Sequence, residues 1–259
     1  MRSRIWLFAE LLVIFVGLPL GYRFSPVRIP ALPLLWLAAG YALWRQGRDS
    51  SFDRHWLWNP APLAGHLREM LVIFFAAALV LWIGVRWLAP QLVWSFMRQY
   101  PSLWAALMVL YPLLSVYPQG IIYRAFFMHR YARLFPAGWV MLVASAAAFA
   151  FLHIIFGNLI SVVLTLFGGM LFAWRYAETR SLLTSSVEHA LYGCWLFTVG
   201  LAAISITGCG RNRNEDGCGL VTRRIRPSKR APRPGSNLKT IQCRRRHDRD
   251  KKGTAGVQC

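Results

Sequence analysis

MLVIFFAAALVLWIGVRWLA, residues 70–89, carries a single charge, Arg86, along its whole length. As a helix rising 1.5 Å per residue, such a run reaches about 30 Å, the thickness of a bilayer's hydrocarbon. Working outward, apolar runs of the same kind fall at 5–22, 30–44, 102–118, 138–157, 159–174 and 182–206. The second is short and punctuated by Pro30 and Pro33, so a tilted or incomplete span is expected there. The chain of 259 residues is 56% hydrophobic, with 12 Trp and 16 Phe, more apolar surface than a soluble domain of this length buries. The fold class is therefore all-α, a polytopic membrane helix bundle of about six to eight transmembrane helices.

Charge divides the chain. Residues 1–207 hold 15 Arg, no Lys and 6 acidic residues, a net +9, whereas 208–259 hold 15 basic residues against 4 acidic, a net +11. The chain thus reads as N-terminal transmembrane helices over 1–100, a core over 100–207, and a basic tail over 208–259 that is expected to be disordered. Lys first occurs at Lys229, and four cysteines, Cys209, Cys218, Cys243 and Cys259, fall in the tail without zinc-ligand spacing. A frame-shifted C-terminus and an ordinary basic tail binding anionic lipid both account for this composition. Arg2 and Arg4 precede the first apolar run with no small-x-small cleavage site after it, which reads as a retained anchor. Eleven of the 15 Arg fall on the side of the N-terminus, which places that end in the cytoplasm and the protein in the inner membrane. With seven spans the basic tail would face outward, against the same rule.

Three polar interruptions lie in the apolar runs: Gln119 to Arg124 in YPQGIIYRAF, His153 in FAFLHIIFGN, and Glu188–His189 in SSVEHALYGC. Ionisable groups in hydrocarbon are costly and mark function by default. Pro118 is expected to end one helix and let another begin, on which Gln119, Tyr123, Phe126, Phe127 and Arg130 share a face. Arg124 taken alone reads as a snorkelling cation, and His153 alone as a satisfied core histidine. The Ala and Ser run before His153 permits close helix approach, and Asn158 is expected to cap the next helix. Glu188 and His189 diverge by about 100°, so Glu188 turns to another helix, with Arg175, Arg180 or Arg124 as its partner. Cys194 reads as a packing residue.

Taken in order, these motifs resemble the CAAX protease and bacteriocin-processing family, also called Abi or CPBP intramembrane proteases, over about residues 100–207. The family's EExxxR falls on Gln119 to Arg124, its FxxxH on Phe149 to His153, and its HxxxN on His189 to Gly193. The resemblance makes Arg124, His153 and His189 site residues and implies an endopeptidase that cuts a membrane-associated protein or peptide. It also puts Gln119 where the family's first Glu stands, Gly120 at the second Glu and Gly193 at the Asn. An amide can orient water but cannot take its proton, so catalysis needs another base, Glu188 or a histidine, or is absent.

Other expectations follow from the same residues. No cofactor is expected; a divalent metal, if present, would fall on His153 and His189, although two imidazoles without a carboxylate hold one poorly. The expected partners are the bilayer, a membrane protein or peptide and, for an authentic tail, anionic lipid rather than nucleic acid. Alternative readings are a catalytically inactive peptide-binding or scaffold protein, or a small transporter; the lack of an internal repeat argues against transport.

Overall fold

The structure is a computed structural model that describes residues 3–27 and 29–201. The tail 208–259 and its four cysteines therefore lie outside the described residues. Among the described residues the chain is all helical: α1 (Arg4–Phe24), α2 (Ala31–Gly47), α3 (Ala61–Leu88), the short α4 (Ser95–Gln99), α5 (Pro101–Arg130), α6 (Gly138–Phe156), α7 (Leu159–Thr179) and α8 (Leu182–Val199). Among the described residues, five helical stretches are long and apolar enough to cross a membrane. Large apolar side chains such as Leu37, Phe75, Trp87 and Leu88 point outward, as a lipid-facing surface requires. This is a multi-pass membrane protein.

The seven long helices match the seven apolar runs, with one correction at a proline. The run punctuated by Pro30 and Pro33 forms α2, whose 17 residues are not among the five spanning stretches, in keeping with an incomplete span; both prolines sit before and within its first turn, where helix N–H groups lack partners in any case. Pro118, by contrast, does not end a helix: α5 runs unbroken through Pro112 and Pro118. Each proline removes the N–H that would bond the carbonyl four residues back. The Leu114 carbonyl, orphaned by Pro118, accepts Trp36 Nε1–H at 3.0 Å, and the Met108 carbonyl, orphaned by Pro112, faces Cys194 Sγ at 3.9 Å. Wide π-helical turns occupy Pro112–Val116, which spans the Leu114 carbonyl facing the Pro118 ring, and Ile121–Phe126. Neighbouring helices thus supply what the prolines take away.

The caps follow the sequence. Asn158 Oδ1 accepts Ile160 N–H at 2.8 Å at the start of α7, and Ser181 Oγ accepts Thr184 N–H at 3.1 Å at the start of α8. Gly157, at φ +65°, makes the turn between α6 and α7. A Cβ on Gly169 of α7 would come within 3.2 Å of Ala146 Cα and 3.1 Å of Phe149, so α6 and α7 meet through small residues, as the Ala run implies.

The core centres on the buried stretch 121–128 of α5. Phe15 of α1 meets Tyr123 and Phe127 edge-on at 5.4 and 5.0 Å, and Ser145 Oγ of α6 donates to the Tyr123 carbonyl at 2.6 Å. Arg130 forms a two-pronged pair with Glu10, at 3.0 and 2.8 Å, tying α5 to α1.

Candidate active site

Gln119, Gly120 and Arg124 come from α5, His153 from the last turn of α6, and Glu188, His189 and Gly193 from α8. In a regular α-helix, Gln119 and Arg124 would stand about 140° apart. A π-helical turn, closed by bonds between residues five apart, narrows that angle, and one occupies Ile121–Phe126. The same turn shifts the helix phase and breaks the single face expected for this segment. Gln119, Tyr123 and Phe126 line a large cavity, whereas Phe127 packs on Phe15 and Arg130 on Glu10.

Arg124 does not snorkel: it is 1% exposed. Its guanidinium lies 4.2 Å from the centre of the Phe149 ring and 5.4 Å from that of Phe172. Both terminal nitrogens lack a hydrogen-bond partner among the described residues. Arg124, His153 and His189 all stand around the Phe149 ring, which gathers the three motifs into one cluster.

Phe149 is the hub of the cluster. Its ring stands 4.8 Å from His153, 5.4 Å from His189 and 5.5 Å from Tyr123. His189 also stacks on Phe172 at 4.5 Å. His153 Nδ1 lies 2.9 Å from the Phe149 carbonyl. A carbonyl only accepts, so Nδ1 carries the proton and, in the neutral ring, Nε2 carries the lone pair.

The positions that lack the motif's polar residues have different surroundings. Gln119 donates from Nε2 to Ser115 Oγ at 2.8 Å, while its Oε1 is buried without a partner among the described residues. A Cβ on Gly120 would lie 2.9 Å from Leu182 Cδ1 and 3.1 Å from Ser186 Oγ, and that hydroxyl is also unpartnered. A Cβ on Gly193 would overlap the phenol of Tyr111, which fills the room a larger residue would need.

Glu188 stands apart from this cluster. It is fully buried and accepts from Arg175 Nε at 3.1 Å. Arg175 also binds Glu69 at 3.2 Å and Glu178 at 3.1 Å, so one buried guanidinium holds three carboxylates from α3, α7 and α8. Of the three arginines considered for Glu188, Arg175 is the one that takes it. The carboxylate is occupied there rather than turned to the histidines.

Gln119, His153 and His189 line a cavity of about 1950 Å³ whose walls are otherwise mainly aliphatic and aromatic and come from seven helices. Two imidazoles, no carboxylate and a guanidinium around the same Phe149 ring make a donor set that does not fit a divalent metal. Among the described residues no group of three His, Cys, Asp or Glu is placed to share an ion. Sequence reading missed Tyr111 and Ser115. Both were within reach, since they precede Gln119 by eight and four residues, the spacing of one helical stripe. Phe172, on another helix, gave no such signal.

Residues 100–195 match the family model described as Rce1-like, type II CAAX prenyl endopeptidase Rce1-like. No curated protein and no solved structure matches the chain. The matched segment runs from the start of α5 into α8 and contains Gln119, Gly120, Arg124, His153, His189 and Gly193. Over this segment the chain is similar to the CAAX protease family of intramembrane proteases.

Proposed function

We propose, with residues 100–195 as a domain of the CAAX protease family, that this chain holds an apolar segment of a membrane-associated protein or peptide in its central cavity and presents a peptide bond to Gln119, His153 and His189. One observation carries the reading: these three polar side chains lie on the wall of a cavity of about 1950 Å³ that is otherwise mainly apolar. The family's described substrates are prenylated ends, and the aliphatic walls suit a lipid chain as well as an apolar peptide.

Within the site, the Nε2 lone pair of His153 orients water, and the Gln119 carbonyl oxygen accepts a second hydrogen bond from it. The unpartnered charge of Arg124 favours the oxyanion that forms when water adds to the carbonyl. Neither position 119 nor position 120 supplies a carboxylate to take the proton of that water, and Glu188 is held by Arg175. Peptide binding is therefore intact and endopeptidase activity impaired. We place the protein in the inner membrane with its N-terminus in the cytoplasm, from the excess of Arg on that side.

The test is photo-crosslinking of an apolar, membrane-inserted peptide to the full chain in liposomes. Crosslinks are expected on α5 and α8, and Thr165→Trp, which projects an indole into the cavity, is expected to weaken or redistribute them. Labelling that maps only to the lipid-facing surface and is unchanged by Thr165→Trp rules the reading out.

A further inference from the structure

A second, smaller cavity of about 230 Å³ lies at the C-terminal end of α2, against the end of α5. It sits where an apolar helix passes into a polar loop: Tyr41 and Trp44 are half exposed on the last turns of α2, followed by Arg45, Gln46, Arg48 and Asp49. Aromatic residues followed by arginines are the signature of the headgroup layer.

The polar groups around this cavity are unevenly satisfied. Arg130 is taken by Glu10, and Asp49 by Ser51 and His129. Arg48 lies over the Trp44 ring at 4.3 Å, and neither it nor Arg45 meets a carboxylate among the described residues. Gln46 is 3% exposed and lines the cavity, yet among the described residues neither its Nε2 nor its Oε1 has a hydrogen-bond partner, and Arg45 Nε is likewise unpartnered. Buried amides are almost always bonded, so an amide open on both sides marks a place built for another molecule.

The geometry points to a binding site for a hydroxyl-bearing phosphodiester, the headgroup chemistry of phosphatidylglycerol. The phosphate answers Arg45 and Arg48, whose guanidinium donors match phosphate oxygens. Gln46 Nε2 donates to a phosphate oxygen, and a headgroup hydroxyl donates to Gln46 Oε1, so both open ends of the amide are closed by one ligand. At this depth the lipid's own leaflet supplies the ligand. The site is separate from the cavity that holds the two histidines and does not depend on its function.

The experiment uses the full chain purified in detergent, with thermal midpoint and retained lipid by native mass spectrometry as readouts. Phosphatidylglycerol, phosphatidylcholine and soluble glycerol 1-phosphate are added in separate arms. Phosphatidylglycerol is expected to raise the midpoint and co-purify, and phosphatidylcholine to do neither. Arg45→Gln and Gln46→Leu are each expected to weaken the response at least about fivefold, while Arg133→Gln, an exposed charge outside the cavity, leaves it unchanged. If Arg45→Gln fails to fold, Gln46→Leu decides, because it removes only the open amide. A response to glycerol 1-phosphate equal to that of the lipid would overturn the lipid source. Equal responses to the two lipids would overturn the site, as would a Gln46→Leu protein that is more stable yet keeps its full phosphatidylglycerol response, the mark of an amide solvated by water alone.

Discussion

The guanidinium of Arg124 lies 4.2 Å from the ring centre of Phe149, buried, with no carboxylate beside it among the described residues. Its charge rests on the faces of Phe149 and Phe172, and the nearby positions 119 and 120 are Gln and Gly rather than acids. Phe149→Ala removes this support together with the contacts to both imidazoles. It is expected to destabilise the protein by about 3–5 kcal/mol, read from unfolding in detergent. Arg124→Met, which removes a buried and unpartnered charge, is expected to leave stability equal or higher while weakening peptide capture.

Restoring an acid at position 120 should raise peptidase activity. The side chain would enter beside Ser186 Oγ, four residues before Arg124, but its Cβ would press on Leu182 Cδ1 at 2.9 Å. Gly120→Glu with Leu182→Ala should therefore exceed Gly120→Glu alone, by on the order of tenfold or more in kcat/KM for a fluorogenic membrane peptide. In that background His153→Ala and His189→Ala should each return activity to the starting level. No gain in either acid-bearing protein would show that the missing carboxylate is not what limits hydrolysis.

Tyr111 and Gly193 are a matched pair. Gly193→Asn alone drives a side chain into the Tyr111 ring and should cost about 1–3 kcal/mol, as overpacking does. Tyr111→Ala clears the space, so the double variant should recover part of the loss. A thermal-unfolding double-mutant cycle with zero coupling would refute the pairing.

Arg175 holds Glu69, Glu178 and Glu188 together. Arg175→Met leaves three carboxylates facing one another and should destabilise by about 3–5 kcal/mol, the usual cost of breaking a buried ion pair from one side. Glu188→Gln keeps a hydrogen-bond acceptor for Arg175 and should cost less. Comparing the two by chemical denaturation in the same detergent checks the order.

Outside the membrane, hydrogen bonds from the Ser51 hydroxyl and amide, and then His129, hold the Asp49 carboxyl at about 2, below the ordinary 3.8. A depressed acid contributes stability that is present above 3.8 and lost as the pH falls toward 2. Asp49 is half exposed, so the effect is small. The difference in thermal midpoint between the native chain and Asp49→Asn should shrink across that window; a constant difference would contradict the assignment.

What the sequence determined by itself is local. A run of twenty residues with a single charge, such as 70–89, has no other low-energy state in a bilayer than a helix, because each backbone group must be bonded within the segment. Asn158 caps α7 and the Ala run packs closely on α7 for equally local reasons. The order of motifs likewise led to the expectation that Arg124, His153 and His189 lie together, and all three stand around Phe149. Only tertiary structure could decide whether Pro118 ends a helix, since the answer rested on Trp36, 78 positions from Leu114, reaching the freed carbonyl. Only tertiary structure could choose Arg175 for Glu188, or put Tyr111 against Gly193. Partners of these kinds lie on different helices, and their identity follows from how helices rotate and cross, which the pattern of one helix does not contain.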